Sequence, residues 1–262
     1  MVLLLINAFF VVIIMMDNNA VAREEWQAIL RVCEILQSNG IAIDPENIVR
    51  AASISAMRTT RGIELEAAIA GLFLGDAKMT DQGVIYLFEN PDKGTAEFYS
   101  AGDFEIRLHD GVITYDASAV RTVGELLRSM EYEKLAFDIS FDEESDCVRV
   151  VSLYDNAKIF NSTIEFAFSG NSLQTVKGRY VTGIVPIVQG EQISNVSTAL
   201  LEFLSATVRG DIDCYEITMV ESGYQHSVVG SFGDGVMAPV WMITTDAGRY
   251  IVDSAAKEVR PA

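Results

Sequence analysis

The sequence predicts an α+β fold in which an N-terminal transmembrane helix precedes an extracytoplasmic region of antiparallel sheets with packed helices. Three observations carry that prediction. The first sixteen residues, MVLLLINAFFVVIIMM, hold one polar side chain, Asn7, and no charge. The rest alternates between helical periodicities and hairpin patterns. The whole is acidic, with 37 Asp and Glu against 19 Lys and Arg and a net charge of -18.

Composition narrows the classes further. Half of the 262 residues are hydrophobic and 21% are charged, which excludes disorder, collagen and simple coiled coil. The length suits two modest domains at about 150 residues each. So negative a chain repels phosphate backbones and anionic lipid surfaces, so nucleic acid is not an expected partner.

As a helix, residues 1–16 would span roughly 24 Å, slightly less than the hydrocarbon core of a bilayer. Ala20-Val21-Ala22 has the small-x-small form that a signal peptidase accepts, so one alternative is a binding module or inhibitor released by cleavage after Ala22. No Lys or Arg precedes the apolar run, however, and the run is longer than a usual signal core. A retained single-pass anchor is the favoured reading. Arg23 is the first basic residue and the body is acidic, so the body is expected outside the cell membrane. The missing basic flank is expected upstream of Met1.

Element by element, Trp26, Ile29, Leu30, Cys33 and Leu36 recur at helical spacing after the capping candidates Asp17, Asn18 and Asn19, and Asn39-Gly40 ends that helix. Ile41–Ile43 reads as a short extended stretch. A second helix is expected within 60–75, rich in Ala, Leu and Glu. Strands follow at 83–88, 95–99 and 103–108; in the last, Phe104, Ile106 and Leu108 alternate with Asp103, Glu105 and Arg107, which buries one face and wets the other.

The order then repeats. Thr122-Val123-Gly124-Glu125 has the form of a capping box, opening a helix to about Tyr132. Strands around 137–141 and 148–154 come next, and a hairpin over 163–168 and 173–180 closes the unit. Ser194 or Asn195 caps a further helix, followed by a strand over 214–220 and a terminal hairpin over 239–253. The domains expected are thus a 1–16 anchor, a 17–117 N-terminal α+β domain, and a 118–262 C-terminal α+β domain built from two repeated helix-sheet units.

The search for chemistry returns little. His109 reads as a strand-to-turn residue and His226 as a loop residue, neither with a partner at ligand spacing. Cys33, Cys147 and Cys214 are odd in number, match no metal or redox motif, and read as core residues. Asp142-Glu143-Glu144-Ser145-Asp146 lacks the alternating ligands of a calcium loop and reads as a solvated turn. The run with Gly230, Gly233 and Gly235 has no basic residue to meet a phosphate and reads as a loop. Asn161-Ser162-Thr163 and Asn195-Val196-Ser197 fit the glycosylation pattern, a frequent chance match. No catalytic, cofactor-binding or metal-ligating residue is assigned, and the chain is not expected to be an enzyme. The residue that stands out is Asn7, because an amide in hydrocarbon gains about 0.6–2 kcal/mol by bonding to another helix.

The runs LLLINAFF, ILQSNGI, GLFLGD, ESGY and, above all, APVWMITTDAGRYIVDSAAKEV resemble the YycI group of Gram-positive regulatory proteins, which is related to YycH. The likeness is diffuse and covers nearly the whole chain, with Asp253-Ser254-Ala255 standing where the group tends to have an Asn-Ala pair. It implies a single-pass membrane protein with an outer α+β body. It also implies partners: a YycH-like protein, and the WalK (YycG) sensor histidine kinase of a two-component system for cell-wall homeostasis, held down partly through membrane contacts. Asn7, Phe9 and Phe10 are then the candidate partner contacts in the membrane.

Overall fold

The computed structural model describes residues 23–49, 54–130, 135–229 and 233–262. The described residues divide into two compact units: one drawn from the spans 1–51, 194–221 and 240–262, and one from the spans 52–193 and 222–239. Among the described residues there are four α-helices, and none is long and apolar enough to cross a membrane. The expected anchor at 1–16 lies outside the described residues.

A helix that must bury one stripe and a sheet that must bury one face satisfy each other by packing together. The chain applies this rule three times, each time as a helix followed by four strands that pair in sequence order. The first instance is α2 (Ile63–Leu74) with β3 (Lys78–Asp81), β4 (Ile85–Asn90), β5 (Gly94–Tyr99) and β6 (Asp103–Leu108). The second is α3 (Ala119–Ser129) with β7 (Leu135–Asp142), β8 (Cys147–Tyr154), β9 (Ala157–Ser169) and β10 (Ser172–Arg179). The third is α4 (Val196–Val208) with β12 (Glu216–Val228), β13 (Gly235–Thr245), β14 (Gly248–Asp253) and β15 (Glu258–Pro261). Two copies are expected from the sequence; the region before residue 118 supplies one more of the same order.

In the larger unit, β6 pairs antiparallel with β10, which joins the first two instances into one sheet. Residue 117, where the sequence places a boundary, lies inside this unit, and strands from both sides of it are hydrogen-bonded to each other. One face of that sheet is dry. In register across it run Phe88, Ala96, Ile106, Val176, Phe166 and Val148, all buried. Phe98 stacks on Phe104 with ring centroids 5.7 Å apart. Ile69, Phe73 and Leu74 of α2 and Val123 and Leu127 of α3 belong to the same core. The edge of this unit is completed by β2 (Met57–Thr59), which pairs with β13 and with β11 (Val185–Pro186).

One of the expected helix starts shifts. Helix α3 begins one turn before the proposed capping box: Ser118 is the N-cap, its Oγ accepting from Arg121 N. Starting there sets Ala119, Val123 and Leu127 on the buried face at four-residue intervals. Asn195, by contrast, caps α4 as expected, accepting from Ser197 N.

The smaller unit holds α1 over 23–38, β1 (Ala42–Ile43), α4, the first part of β12, most of β13, and β14 and β15. Strand β1 pairs parallel with β12, and α1 buries Ile29, Cys33 and Leu36 of the face its spacing predicts, together with Val32; Leu30, expected on that face, is exposed instead, and Trp26 is half-buried. Helix α4 buries Leu200 and Phe203, and the Phe203 ring meets Tyr250 of β14 edge-on at 5.7 Å. Trp241 Nε1 donates to Ser194 O, and a relay from Ser194 to Ser254 to Glu202 ties the β14–β15 turn to α4.

Candidate functional site: an open charged sheet face

Because side chains alternate along a strand, the residues next to the dry rung of the larger unit all point to the other face. There Glu97, Glu105, Lys177, Glu165 and Arg149 stand in register across β5, β6, β10, β9 and β8. Each charge has a partner. Lys177 Nζ lies 3.2 Å from Glu165 and Arg149 lies 3.0 Å from it. Burial disfavours the charge on Glu165, but the bonds from Lys177 and Arg149 outweigh it and hold its carboxyl below the ordinary range. The like pair Glu97 and Glu105 is bridged by Arg107, at 3.8 and 2.6 Å. Tyr99 donates to Glu97 at 2.5 Å, which pushes the phenol's pKa up.

Two residues further along and on the same face, Arg179 of β10 forks onto Asp103 of β6 with two bonds of 2.9 Å. This end of the face is a concavity of about 600 Å³ lined by Tyr99, Asp103, Asn161, Thr163, Lys177 and Arg179, among others. Its floor includes Gly178, where a Cβ would come within 2.2 Å of Thr163 O and 2.7 Å of Ile164 Cα. Strand β10 presses closely on β9 there, and the ladder between them slips register at Leu173/Thr175, a device that bends a sheet.

Beneath the sheet a second polar group is sealed. Arg61 forks onto Glu66 at 2.6 and 2.9 Å, donates to Phe98 O at 3.2 Å, and lies over the Tyr86 ring. The Glu66 side chain is fully buried and also accepts from the Tyr180 hydroxyl, whose pKa is pushed up first by burial and then by that bond. A buried carboxylate needs such partners, so the group is a structural clamp. Sequence reading passed over it, yet Glu66 stands at helical spacing with Ile69, Ala70 and Phe73, all buried.

His226 is not in a loop. It lies in β12, is buried, and its Nε2 shares a hydrogen bond of 3.0 Å with Thr59 Oγ1. Its Nδ1 has no hydrogen-bond partner among the described residues. Burial first, and then Arg179, lower its pKa to about 4, with Asp103 acting the other way. The adjoining stretch of β12 is long because Asn161 stitches it: Asn161 Nδ2 donates to His226 O at 2.7 Å, and His226 N donates to Asn161 Oδ1 at 2.9 Å.

The remaining sequence candidates fall as follows. Asn7, Phe9 and Phe10 lie outside the described residues. His109 follows β6 at a turn, as expected. Asp142 to Asp146 form the exposed β7–β8 turn, where Asp142 accepts from Ser145 Oγ and Glu144 N, bonds that lower its pKa. Cys33, Cys147 and Cys214 are free and buried. Gly230 lies outside the described residues, whereas Gly235 opens β13 instead of belonging to a loop. Both glycosylation-pattern asparagines are occupied, Asn161 by His226 and Asn195 by the α4 cap. Among the described residues no group of three or more His, Cys, Asp or Glu is placed to hold a metal ion.

No protein-family model matches the chain, and no curated protein matches it. Among solved structures it is similar to an uncharacterized protein from Eubacterium rectale, with a TM-score of 0.50 at 9% identity over 80% of this chain and 86% of that one. It is also similar to YycH from Bacillus subtilis, with a TM-score of 0.44 at 10% identity over 81% of this chain and 52% of that one. At such identities the first likeness concerns the fold alone, and the fold is a sheet-rich α+β architecture.

Proposed function

We propose that this chain is a membrane-anchored regulatory protein of the YycI kind, whose body lies outside the cell membrane and holds down a WalK-like sensor histidine kinase, together with a YycH-like partner. The observation that carries the reading is the run from Ala238 to Val259, the most specific of the resembling segments, which forms the end of β13, the turn to β14, and β14 with the start of β15. The uncharged residues 1–16 supply the means of attachment, and the unit containing the α1 helix follows them directly in the chain. On this reading no reaction is catalysed. The charged face and the buried clamp shape a body that makes contacts, and Asn7, Phe9 and Phe10 make the contacts within the bilayer.

Crosslinking in intact membranes, with the captured protein identified, tests the partner. Co-purification with the kinase is expected to weaken on Asn7→Leu, because an amide that bonds across helices is replaced by a side chain that cannot. Pairing unchanged by Asn7→Leu removes Asn7 from the interface, and no kinase in the crosslinked material defeats the reading. Ala20-Val21-Ala22 favours the second reading, a module released by cleavage. A mature protein beginning at Arg23 and recovered free of membranes would establish that second reading instead.

A further inference from the structure

The concavity on the larger unit's sheet has chemistry that the regulatory reading does not use. At about 600 Å³ it lies within the range of small-molecule pockets, about 300–1,000 Å³. Most of its lining residues are polar or charged, among them Asp103, Asn161, Thr163, Lys177 and Arg179, and their aliphatic stems with Tyr99 add apolar surface between the polar groups, a mixture that suits an amphipathic guest better than a lipid tail. Its charges are matched: Asp103 with Arg179, Glu165 with Lys177 and Arg149, Glu105 with Arg107. A ligand of either net charge would have to displace one of these pairs or lie against a like charge. A neutral ligand rich in hydroxyls has no such conflict.

The paired groups keep hydrogen-bonding capacity. A carboxylate offers about four acceptor positions and a guanidinium five donors. The Arg179–Asp103 fork uses two of those donors, through Nε and Nη2. Ion pairing also fixes the side chains in advance, so a guest does not have to order them. Tyr99 brings an aromatic ring to the lining, with its hydroxyl tied to Glu97. A ring of that kind presents an apolar body against which the C–H face of a sugar can pack.

We infer that the concave face bounded by Tyr99, Asp103, Lys177 and Arg179 binds a neutral oligosaccharide. The inference rests on the geometry of this face and not on the regulatory reading. Loss of kinase pairing with sugar binding retained, or the reverse, separates the two.

The test is calorimetric titration of the full chain, held in a detergent without a sugar headgroup, with maltohexaose, cellohexaose and chitohexaose in turn. At least one is expected to saturate, with a Kd that changes less than about twofold between roughly 0.05 and 0.5 M salt, as befits an uncharged ligand. Tyr99→Ala is expected to weaken that Kd by about tenfold. Lys177→Gln, at an exposed position that leaves the core untouched, is expected to weaken it by about threefold. No saturation by any of the three overturns the proposal. So does binding that neither variant weakens, or binding that salt abolishes.

Discussion

Two rungs of the same sheet, one residue apart on every strand, behave as different materials. Ala96, Ile106, Val176, Phe166 and Val148 form one; Glu97, Glu105, Lys177, Glu165 and Arg149 form the other. Every member of the first is fully buried, while Lys177 and Arg149 of the second keep more than half of their side-chain surface in water. The difference teaches that the strands are held in place by the dry rung, which fixes register because a one-residue slip would expose it. The wet rung decides only what the face offers to a partner.

The sharpest way to break that comparison is to remove a dry side chain. Phe166→Ala takes a fully buried ring from the centre of the core and is expected to cost about 3–5 kcal/mol, combining lost burial with the cavity left behind. Urea denaturation of the two proteins measures it. A loss under about 1 kcal/mol would mean that the core collapses around the gap and does not fix the register.

The next effect is smaller and depends on pH. His226 has a folded pKa of about 4 against an ordinary 6.5, so the native state keeps the imidazole neutral where the unfolded chain protonates it. The unfolded state therefore binds more protons in that window, and stability falls as pH drops from 6.5 toward 4. The contribution is complete above 6.5, amounts to at most about 3 kcal/mol, and stops changing below 4. Arg179 of β10 works against protonation and Asp103 of β6 in its favour. Subtracting the denaturation profile of His226→Gln from that of the parent isolates this slope from the carboxylates. A difference that stays flat between pH 6.5 and 4.5 sinks the assignment of a neutral buried imidazole.

Much of this was legible in the residues. The face of α1 set by Ile29, Cys33 and Leu36, the alternation of β6, and the terminal hairpin all follow from periodicity, because each buries a single stripe or face. Four short strands, β2, β3, β11 and β15, were not legible, since two to four residues cannot display a period. The extension of β12 past Val220 was hidden by Glu221-Ser222-Gly223, which has the composition of a turn. Gly223 is there for another reason: a Cβ would come within 2.5 Å of Lys158 O and 2.6 Å of the Phe160 ring, on the strand that β12 joins. That misreading placed His226 in a loop. The charged face was half legible: the wet residues of β6 were in view, but their partners on β10, β9 and β8 are 60 or more residues from β6 in places, as Arg179 and Asp103 are with a separation of 76.

The smallest effect sharpens the comparison best, since it concerns the wet rung alone. The pair Glu165 and Lys177 is directly opposite on β9 and β10, with its ammonium and carboxylate 3.2 Å apart and side-chain exposures of 58% for Lys177 and 28% for Glu165. Water screens such a pair, and holding a long lysine side chain in one rotamer opposes the gain. Glu165 also keeps Arg149 when Lys177 is lost, so the single variant leaves no bare buried charge. A double-mutant cycle through Glu165→Gln and Lys177→Gln is therefore expected to give a coupling of about 0.2–1 kcal/mol that shrinks as salt is added. A coupling above about 2 kcal/mol, unmoved by salt, would mark the rung as desolvated. The two rungs would then differ in polarity but not in wetness, and the face would be too tightly committed to its own ion pairs to receive a ligand.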